Sequence, residues 1–246
     1  MAALFDVYES LVRCAPGDDA STLRALAACA GAPGAPRIID LGSGPGPATI
    51  PLARAGAHVT AIELHGPFVA EVRRRAAAAG VGDRVDAREG DMANLPFEDG
   101  AFDIVWSEGA AYSIGVDRAA ALWLRLVPPG GWLVLTELCW RVDDAPAEVR
   151  AHWSGDYPSM GDVATFEARV AAGGWQIVDG FWLPQSAWDA YYDPMRDALA
   201  RARTAHPDPA SQAALDALDR EIAVYDTFGA TYGYRLLVAR RPTEER

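Results

Sequence analysis

An α/β architecture, a parallel sheet wound with helices on both faces, is predicted for this chain by three observations. From Arg37 onward, short apolar runs alternate with helix-like segments. The first run ends in an acid followed by glycines at 42, 44 and 46, and each helical segment closes on glycine or proline. The runs at 37–41, 59–63, 84–89, 102–107 and 132–137 are short, apolar and bounded by turn residues, as strands are. Strands alternating with helices imply right-handed crossovers and therefore parallel pairing. The intervening helices are expected over 47–55, 67–79 and 117–127, the last closed by Pro128-Pro129-Gly130-Gly131.

Before this core, residues 1–36 form a helical prelude. Pro16-Gly17 breaks it, and Ser21 is the expected cap of a helix through Leu23, Leu26 and Cys29 to Gly31. After Glu137 the alternation breaks. A polar, tryptophan-containing stretch follows, then a helix over 163–172, a strand over 175–183, two helices over 186–204 and 209–228, and a last strand over 232–240. No repeat or low-complexity linker divides the chain, so 1–246 is expected to be a single domain with a frayed tail over 242–246.

Half of the 246 residues are apolar, enough for a sizeable core. A net charge of -12 repels polyanions, so nucleic acid is excluded as a partner and a small-molecule substrate is expected. Cys14, Cys29 and Cys139 are odd in number and lack a Cys-x-x-Cys pair, which fits packing residues in a reducing compartment. No grouping of His, Cys and Asp has metal-ligand spacing. There is no basic n-region at the start and no apolar run of roughly 18 residues, so a cytoplasmic protein without membrane association is expected.

The chemistry concentrates after the first strand. Asp40-Leu41-Gly42-Ser43-Gly44-Pro45-Gly46 lets the backbone pass close to a ligand, where side chains would block the approach. Pro47 suits a helix's first turn, because the N–H it lacks would be unsatisfied there anyway. Pro51 conflicts with a helix starting at 47, so the helix either starts later or kinks. Dinucleotide sites use Gly-x-Gly-x-x-Gly, whose third glycine would fall at Pro47, and this weakens an NAD oxidoreductase reading.

The acid followed by Gly-x-Gly-x-Gly instead resembles the first motif of class I S-adenosylmethionine-dependent methyltransferases. Further blocks follow in order. Glu63 closes the second strand about 20 residues on, Gly90-Asp91-Met92 closes the third, and Leu95-Pro96-Phe97 precedes Phe102-Asp103-Ile104-Val105. Val127-Pro128-Pro129-Gly130-Gly131 leads into the fifth strand. The resemblance covers residues 37–138. It implies S-adenosylmethionine as cofactor and S-adenosylhomocysteine as product. The implied cofactor set is Asp40, Gly42, Gly44 and Gly46 at the turn, Glu63 and Leu64 at the ribose, Asp91 and Met92 at the adenine, Ser107, and Arg13 at the carboxylate. It also implies a Rossmann-like, doubly wound, seven-stranded sheet with an antiparallel last strand, the runs at 175–183 and 232–240 supplying the two extra strands. The N-terminal helices and the helical insertion before the last strand are additions. That insertion departs from the minimal family pattern, and a lid or a homodimer surface is expected of it.

Methyl transfer from a sulfonium is an in-line displacement, so the protein aligns nucleophile and methyl, excludes water and removes a proton where one is carried. In the resembled family the segment after the fourth strand faces the methyl, and here it is Trp106-Ser107-Glu108-Gly109-Ala110-Ala111-Tyr112. It lacks the Asn/Asp-Pro-Pro-aromatic motif of enzymes that methylate base or amide nitrogens. Glu108 is the acid expected nearest the methyl, and His152 is the candidate general base. Tyr112, Trp140, Tyr157 and Tyr192, joined by Trp153, Trp188 and Tyr191, are expected to wall the substrate pocket, and residues 139–162 and 184–230 to supply its substrate-side or lid elements. His65 is placed beside the cofactor, and His58 and His206 in structural roles. A module that binds the cofactor without turning over is the remaining alternative.

Overall fold

Strand β1 (Arg37–Leu41) is the pivot of the sheet. It pairs in parallel with β2 (His58–Glu63) on one side and β4 (Ile104–Ser107) on the other. The computed structural model describes residues 2–243, so Glu244 to Arg246 of the expected tail lie outside the described residues. From β2 the sheet continues to β3 (Val85–Glu89), and from β4 to β5 (Trp132–Trp140), β8 (Tyr232–Arg240) and β7 (Gln176–Trp182). Only β8 runs against the others, between β5 and β7. A two-residue β6 (Gly161–Asp162) pairs in parallel with the end of β5, adding an eighth strand to the expected seven. Strand order reverses at β1, and a ligand crevice in an open α/β sheet lies at such a point, beyond the strands' C-terminal ends.

Alternation along the strands divides the core between the two faces. On one, Ile39, Val105, Leu133 and Leu135 pack under α5 (Val116–Trp123) and α7 (Val163–Ala172) through Trp123, Phe166 and Val170. On the other, Ile38, Ile104, Trp106 and Val134 meet α2 (Asp19–Ala28) and α3 (Thr49–Arg54) through Ala25 and Leu52. α4 (Gly66–Ala78) covers β2 and β3 through Val69 and Val72. A third cluster joins α1 (Ala2–Glu9), α6 (Ala147–Asp156), α8 (Gln185–Ala205) and α9 (Pro209–Phe228) around Tyr232, Trp188 and Met195. The helical prelude and the late insertion therefore form one cover at the sheet's C-terminal edge. Among the described residues no helix is long and apolar enough to cross a membrane.

Several boundaries differ from expectation for local reasons. α3 begins at Thr49, which places Pro51 in the first turn, where a missing N–H forfeits no helical bond. The helix expected over 117–127 ends at Trp123 and tightens into a 3₁₀ turn over 124–126. Ser21 is not the cap of α2. Asp18 is, its Oδ1 accepting from the Ser21 N–H at 2.7 Å while its Oδ2 accepts from Ser186 Oγ at 3.1 Å. Asp18 thus joins the prelude to α8 as well as starting α2. Asp18→Ala is expected to lower stability by about 1 kcal/mol, the usual cost of losing such a cap. Ser21→Ala should cost less than about 0.5 kcal/mol, because Ser21 contributes its backbone N–H rather than its hydroxyl. Urea unfolding of both variants checks the pair, and equal losses would contradict the assignment of the cap.

Candidate active site

The glycine turn opens into a cavity of about 830 Å³ bounded by the ends of β1, β2 and β5, the loops after β3 and β4, and the helical cover. Gly42, Gly44 and Gly46 all have positive φ, at 70°, 52° and 88°. Their surroundings differ. A Cβ on Gly42 would fall 2.4 Å from that of Ala110, so the loop after β4 packs directly on the turn. One on Gly44 would meet nothing within 4 Å, and Gly44 lines the cavity. One on Gly46 would lie 3.1 Å from Val72 Cγ2. Gly46 therefore serves contact with α4 and is not part of the cavity wall, contrary to its expected cofactor role.

Glu63 holds the turn. Its Oε2 accepts the Gly44 N–H and its Oε1 the His65 N–H, each at 2.9 Å. A carboxylate offers about four acceptor sites, so further donors can still be taken from the cavity. Leu64, Asp91 and Met92 continue this wall. Asp91 Oδ1 accepts from the Ala93 N–H at 2.8 Å, and the Met92 carbonyl accepts from Trp123 Nε1 at 3.0 Å.

Asp40 and Ser107 lie behind the wall instead of in it. Asp40 is buried, and its Oδ2 accepts from Thr49 Oγ1 at 2.6 Å in the first turn of α3. Burial pushes its carboxyl up to about 7, against a smaller opposing effect of the Thr49 bond. Ser107 is fully buried and donates from Oγ to the Leu41 carbonyl at 2.9 Å, tying the end of β4 to that of β1. Both residues shape the turn from beneath. His65 is likewise turned away from the cavity, its Nε2 2.8 Å from Glu9 Oε1 and its ring stacked on Phe5.

Arg13 and Glu108 do reach the cavity. Glu108 Oε1 accepts from Trp106 Nε1 at 2.9 Å and Thr22 Oγ1 at 2.8 Å, so the acid ties the loop after β4 to α2. Burial raises its pKa, and these bonds and the Arg13 charge oppose the rise. Arg13 is buried against Gly17, where a Cβ would lie 2.2 Å from Nη1. Burial lowers its pKa, and the Glu108 charge opposes this. Among the described residues Arg13 has no acid within salt-bridge distance, which leaves its planar fork available for a carboxylate.

The opposite end is aromatic. Tyr112 and Tyr157 meet edge-on at 5.7 Å, Tyr192 donates to Glu221 Oε1 at 2.9 Å, and Tyr8, Trp153, Trp188, Tyr191 and Tyr234 complete the wall. Two expected residues are absent from it. Trp140 lies beyond the cavity at the end of β5, under the Arg150 guanidinium at 4.8 Å and edge-on to Tyr232. His152 does not line the cavity. It stands one turn before Asp156 on α6, its Nε2 3.8 Å from Asp156 Oδ2 and its ring edge-on to Trp153 at 4.9 Å, and it is Trp153, Asp156 and the cap residue Tyr157 that form the wall. His152 is therefore set behind the wall, contrary to the general-base position expected of it.

Three acids in the wall were not singled out from sequence, Glu137, Asp156 and Glu221. Two had a signal: Glu137 interrupts the apolar run of β5, and Glu221 falls on the α9 stripe of Leu215, Leu218 and Ile222. Burial pushes Glu137 up to about 7 and raises Glu221, the latter against its Tyr192 bond. Among the described residues no group of three or more His, Cys, Asp and Glu could hold a metal ion.

A family model described as a methyltransferase domain matches residues 39–135. The uncharacterized protein YjhP of Escherichia coli (strain K12) is 30% identical over 177 residues, 70% of each chain. A demethylmenaquinone methyltransferase of Clavibacter sepedonicus is 36% identical over 118 residues, 48% of this chain and 45% of that relative. The match thus spans less than half of the latter protein's length. A SAM-dependent methyltransferase from Thiobacillus denitrificans, solved in complex with S-adenosyl-L-homocysteine, superposes with a TM-score of 0.80 at 25% identity, covering 96% of this chain and 97% of that one.

The buried Asp40 carboxyl gives the fold an unusual pH dependence. Its pKa rises from the ordinary 3.8 to about 7 on folding, so between these values the folded state binds a proton that the unfolded state does not. Its contribution to stability therefore declines as pH climbs from about 4 to about 7. The stability of Asp40→Asn relative to the parent is expected to grow across that window and stay level above it. Urea unfolding at several pH values checks this, and a difference that stays flat would mean an ordinary carboxyl.

Proposed function

This chain belongs to the class I S-adenosylmethionine-dependent methyltransferase family, and from that premise we infer that it transfers the methyl group of S-adenosylmethionine to a small-molecule acceptor. The observation that carries the reading is one continuous cavity. It joins the glycine turn, Glu63, Asp91 and Arg13 to an aromatic chamber under the helical cover. The residues fit the cofactor: the open side of Gly44 admits a ligand next to the backbone, and among the described residues the Arg13 fork has no acid within salt-bridge distance, Glu108 being its nearby charge.

S-adenosylmethionine supplies an electrophilic methyl carbon on a positively charged sulfur. Arg13 takes its carboxylate, Glu63 its ribose hydroxyls, and Asp91 with the backbone at Met92 its adenine. An acid-rich wall with Arg13 as its basic member also favours a cationic ligand. The cover formed by α1, α6, α8 and α9 roofs the chamber, the late insertion completing the acceptor side of what we read as a single domain. The free Cys14, Cys29 and Cys139 fit a reducing compartment such as the cytoplasm.

S-adenosylhomocysteine is expected to raise the melting temperature and NAD to leave it unchanged, since a ligand that binds only the folded state stabilises it by mass action. Stabilisation by NAD alone would overturn the reading. Transfer of radiolabelled methyl to small-molecule acceptors tests turnover directly.

Glu63→Ala separates the binding role of this acid from its hold on the turn. Loss of two charge-assisted bonds to ribose, each worth about 1.5 to 3 kcal/mol, should weaken S-adenosylhomocysteine binding at least about tenfold. A purely structural Glu63 would instead lower the melting temperature and leave affinity nearly unchanged, so both are measured on the same variant.

A further inference from the structure

The acceptor end of the cavity carries three carboxylates, Glu137, Asp156 and Glu221; Asp156 has His152 at 3.8 Å, and among the described residues Glu137 and Glu221 have no basic partner within salt-bridge distance. Glu137 is 4% exposed, and its Oε1 accepts the N–H of Leu138 at 3.1 Å. Among the described residues its Oε2 has no hydrogen-bond partner, and the Tyr157 hydroxyl is the side-chain donor close enough to act on it, opposing the effect of burial. Arg169, which acts on it from a distance, donates to the Ser159 carbonyl at 2.8 Å. Across the chamber, Glu221 accepts only from Tyr192 among the described side chains. Arg13, the one basic residue in the wall among the described residues, is at the other end beside Glu108.

An acid kept in an apolar wall without its full set of partners is costly, and more so when ionised. Besides the acids the chamber is mainly aromatic, walled by Tyr112, Tyr157, Trp153, Trp188, Tyr191 and Tyr234. Ring faces attract cations, and carboxylates accept from several N–H groups at once. An anionic acceptor would meet like charge. A neutral alcohol could satisfy one lone pair and bring no charge.

Resting on the methyltransferase reading above, we propose that the acceptor is an amine, recognised as its ammonium by Glu137 and Glu221 within the tyrosine and tryptophan wall, with Glu137 taking the proton that must leave before attack. The bound ammonium gives one N–H proton to the Glu137 carboxylate. The freed nitrogen lone pair then forms the N–C bond to the methyl carbon while the C–S bond breaks and its electron pair stays on sulfur. The products are a methylated ammonium, the neutral thioether S-adenosylhomocysteine, and a protonated Glu137 that returns its proton to water. A carboxyl held near 7 by burial exchanges protons readily at neutral pH.

The test uses the full chain saturated with S-adenosylhomocysteine, titrated calorimetrically with phenethylamine, hexylamine and cyclohexylmethylamine. The alcohol and the carboxylate of each skeleton serve as controls. At least one amine is expected to bind about tenfold or more tightly than both its controls. Glu137→Gln and Glu221→Gln should each reduce that preference while binding S-adenosylhomocysteine as the parent does, which also shows that they fold. The inference is overturned if no amine binds, if an alcohol or carboxylate binds as well as its amine, or if the preference survives both substitutions. The parent panel decides even where a variant fails to fold. Failure of the parent to bind S-adenosylhomocysteine would sink the methyltransferase reading itself, a result separate from the amine comparison.

Discussion

The site depends on one carboxylate. Glu63 ends β2 and holds the N–H of Gly44 with one oxygen and that of His65 with the other, so the glycine turn is fixed to the start of α4. Backbone bonds reinforce the link, since Gly42 and Ser43 both donate to the Ile62 carbonyl and Gly90 donates to that of Glu63. Three strand ends, those of β1, β2 and β3, are thereby locked together where the strand order reverses. The positive φ of Gly42 and Gly44 lets the chain make this turn without a side chain between backbone and ligand. The carboxylate that fixes the turn also lines the cavity.

Burying an acid is costly in proportion to what it lacks, and the buried acids of this chain form a graded series. Asp40 has Thr49 and a place beneath the turn, where it supports α3 and never meets the cavity. Glu108 has Trp106 and Thr22, with Arg13 nearby, and joins α2 to the loop after β4. Glu137 has a single backbone N–H for one oxygen and, among the described residues, no hydrogen-bond partner for the other. Structural need accounts for the first two. It does not account for the third, whose position at the cavity wall points to a donor that arrives with the ligand.

The succession of strands and helices along the chain was legible because apolar runs bounded by glycine and proline leave little choice of element, whereas the antiparallel last strand came from the family resemblance; the alternation of Ile38 and Ile39 between opposite cores follows from the strand period. The short β6 was not legible, since two residues carry no periodicity. Within the glycine turn, residue identity could not separate Gly44, which faces the cavity, from Gly46, which faces Val72, because both need positive φ and differ only in what packs against them. His152 and Trp140 fit the chemistry sought, but His152 is set behind Trp153 and Asp156, and Trp140 lies beyond the cavity at the end of β5. Glu137 and Glu221 showed the opposite pattern. Each broke an apolar stripe, and only the closure of the helices over β5 and β8 gave that break a meaning.

That closure is assembled from distant parts of the chain. α1 packs with α8 and α9, the Gly17 N–H donates to the Ala187 carbonyl, and Arg75 of α4 holds the carbonyls of Leu11 and Val12. The His65–Glu9 and His206–Asp6 pairs on its outside are partly exposed and contribute little, as surface ion pairs do. Its stability comes instead from the buried faces of Trp188, Met195, Leu215 and Tyr232. These same faces back the tyrosines that wall the acceptor chamber, so ordering the cover and shaping the chamber are a single packing event. Displacement at a sulfonium carbon needs aligned reactants and little water, and it is the helices that the sheet does not require which roof the cavity where those needs arise.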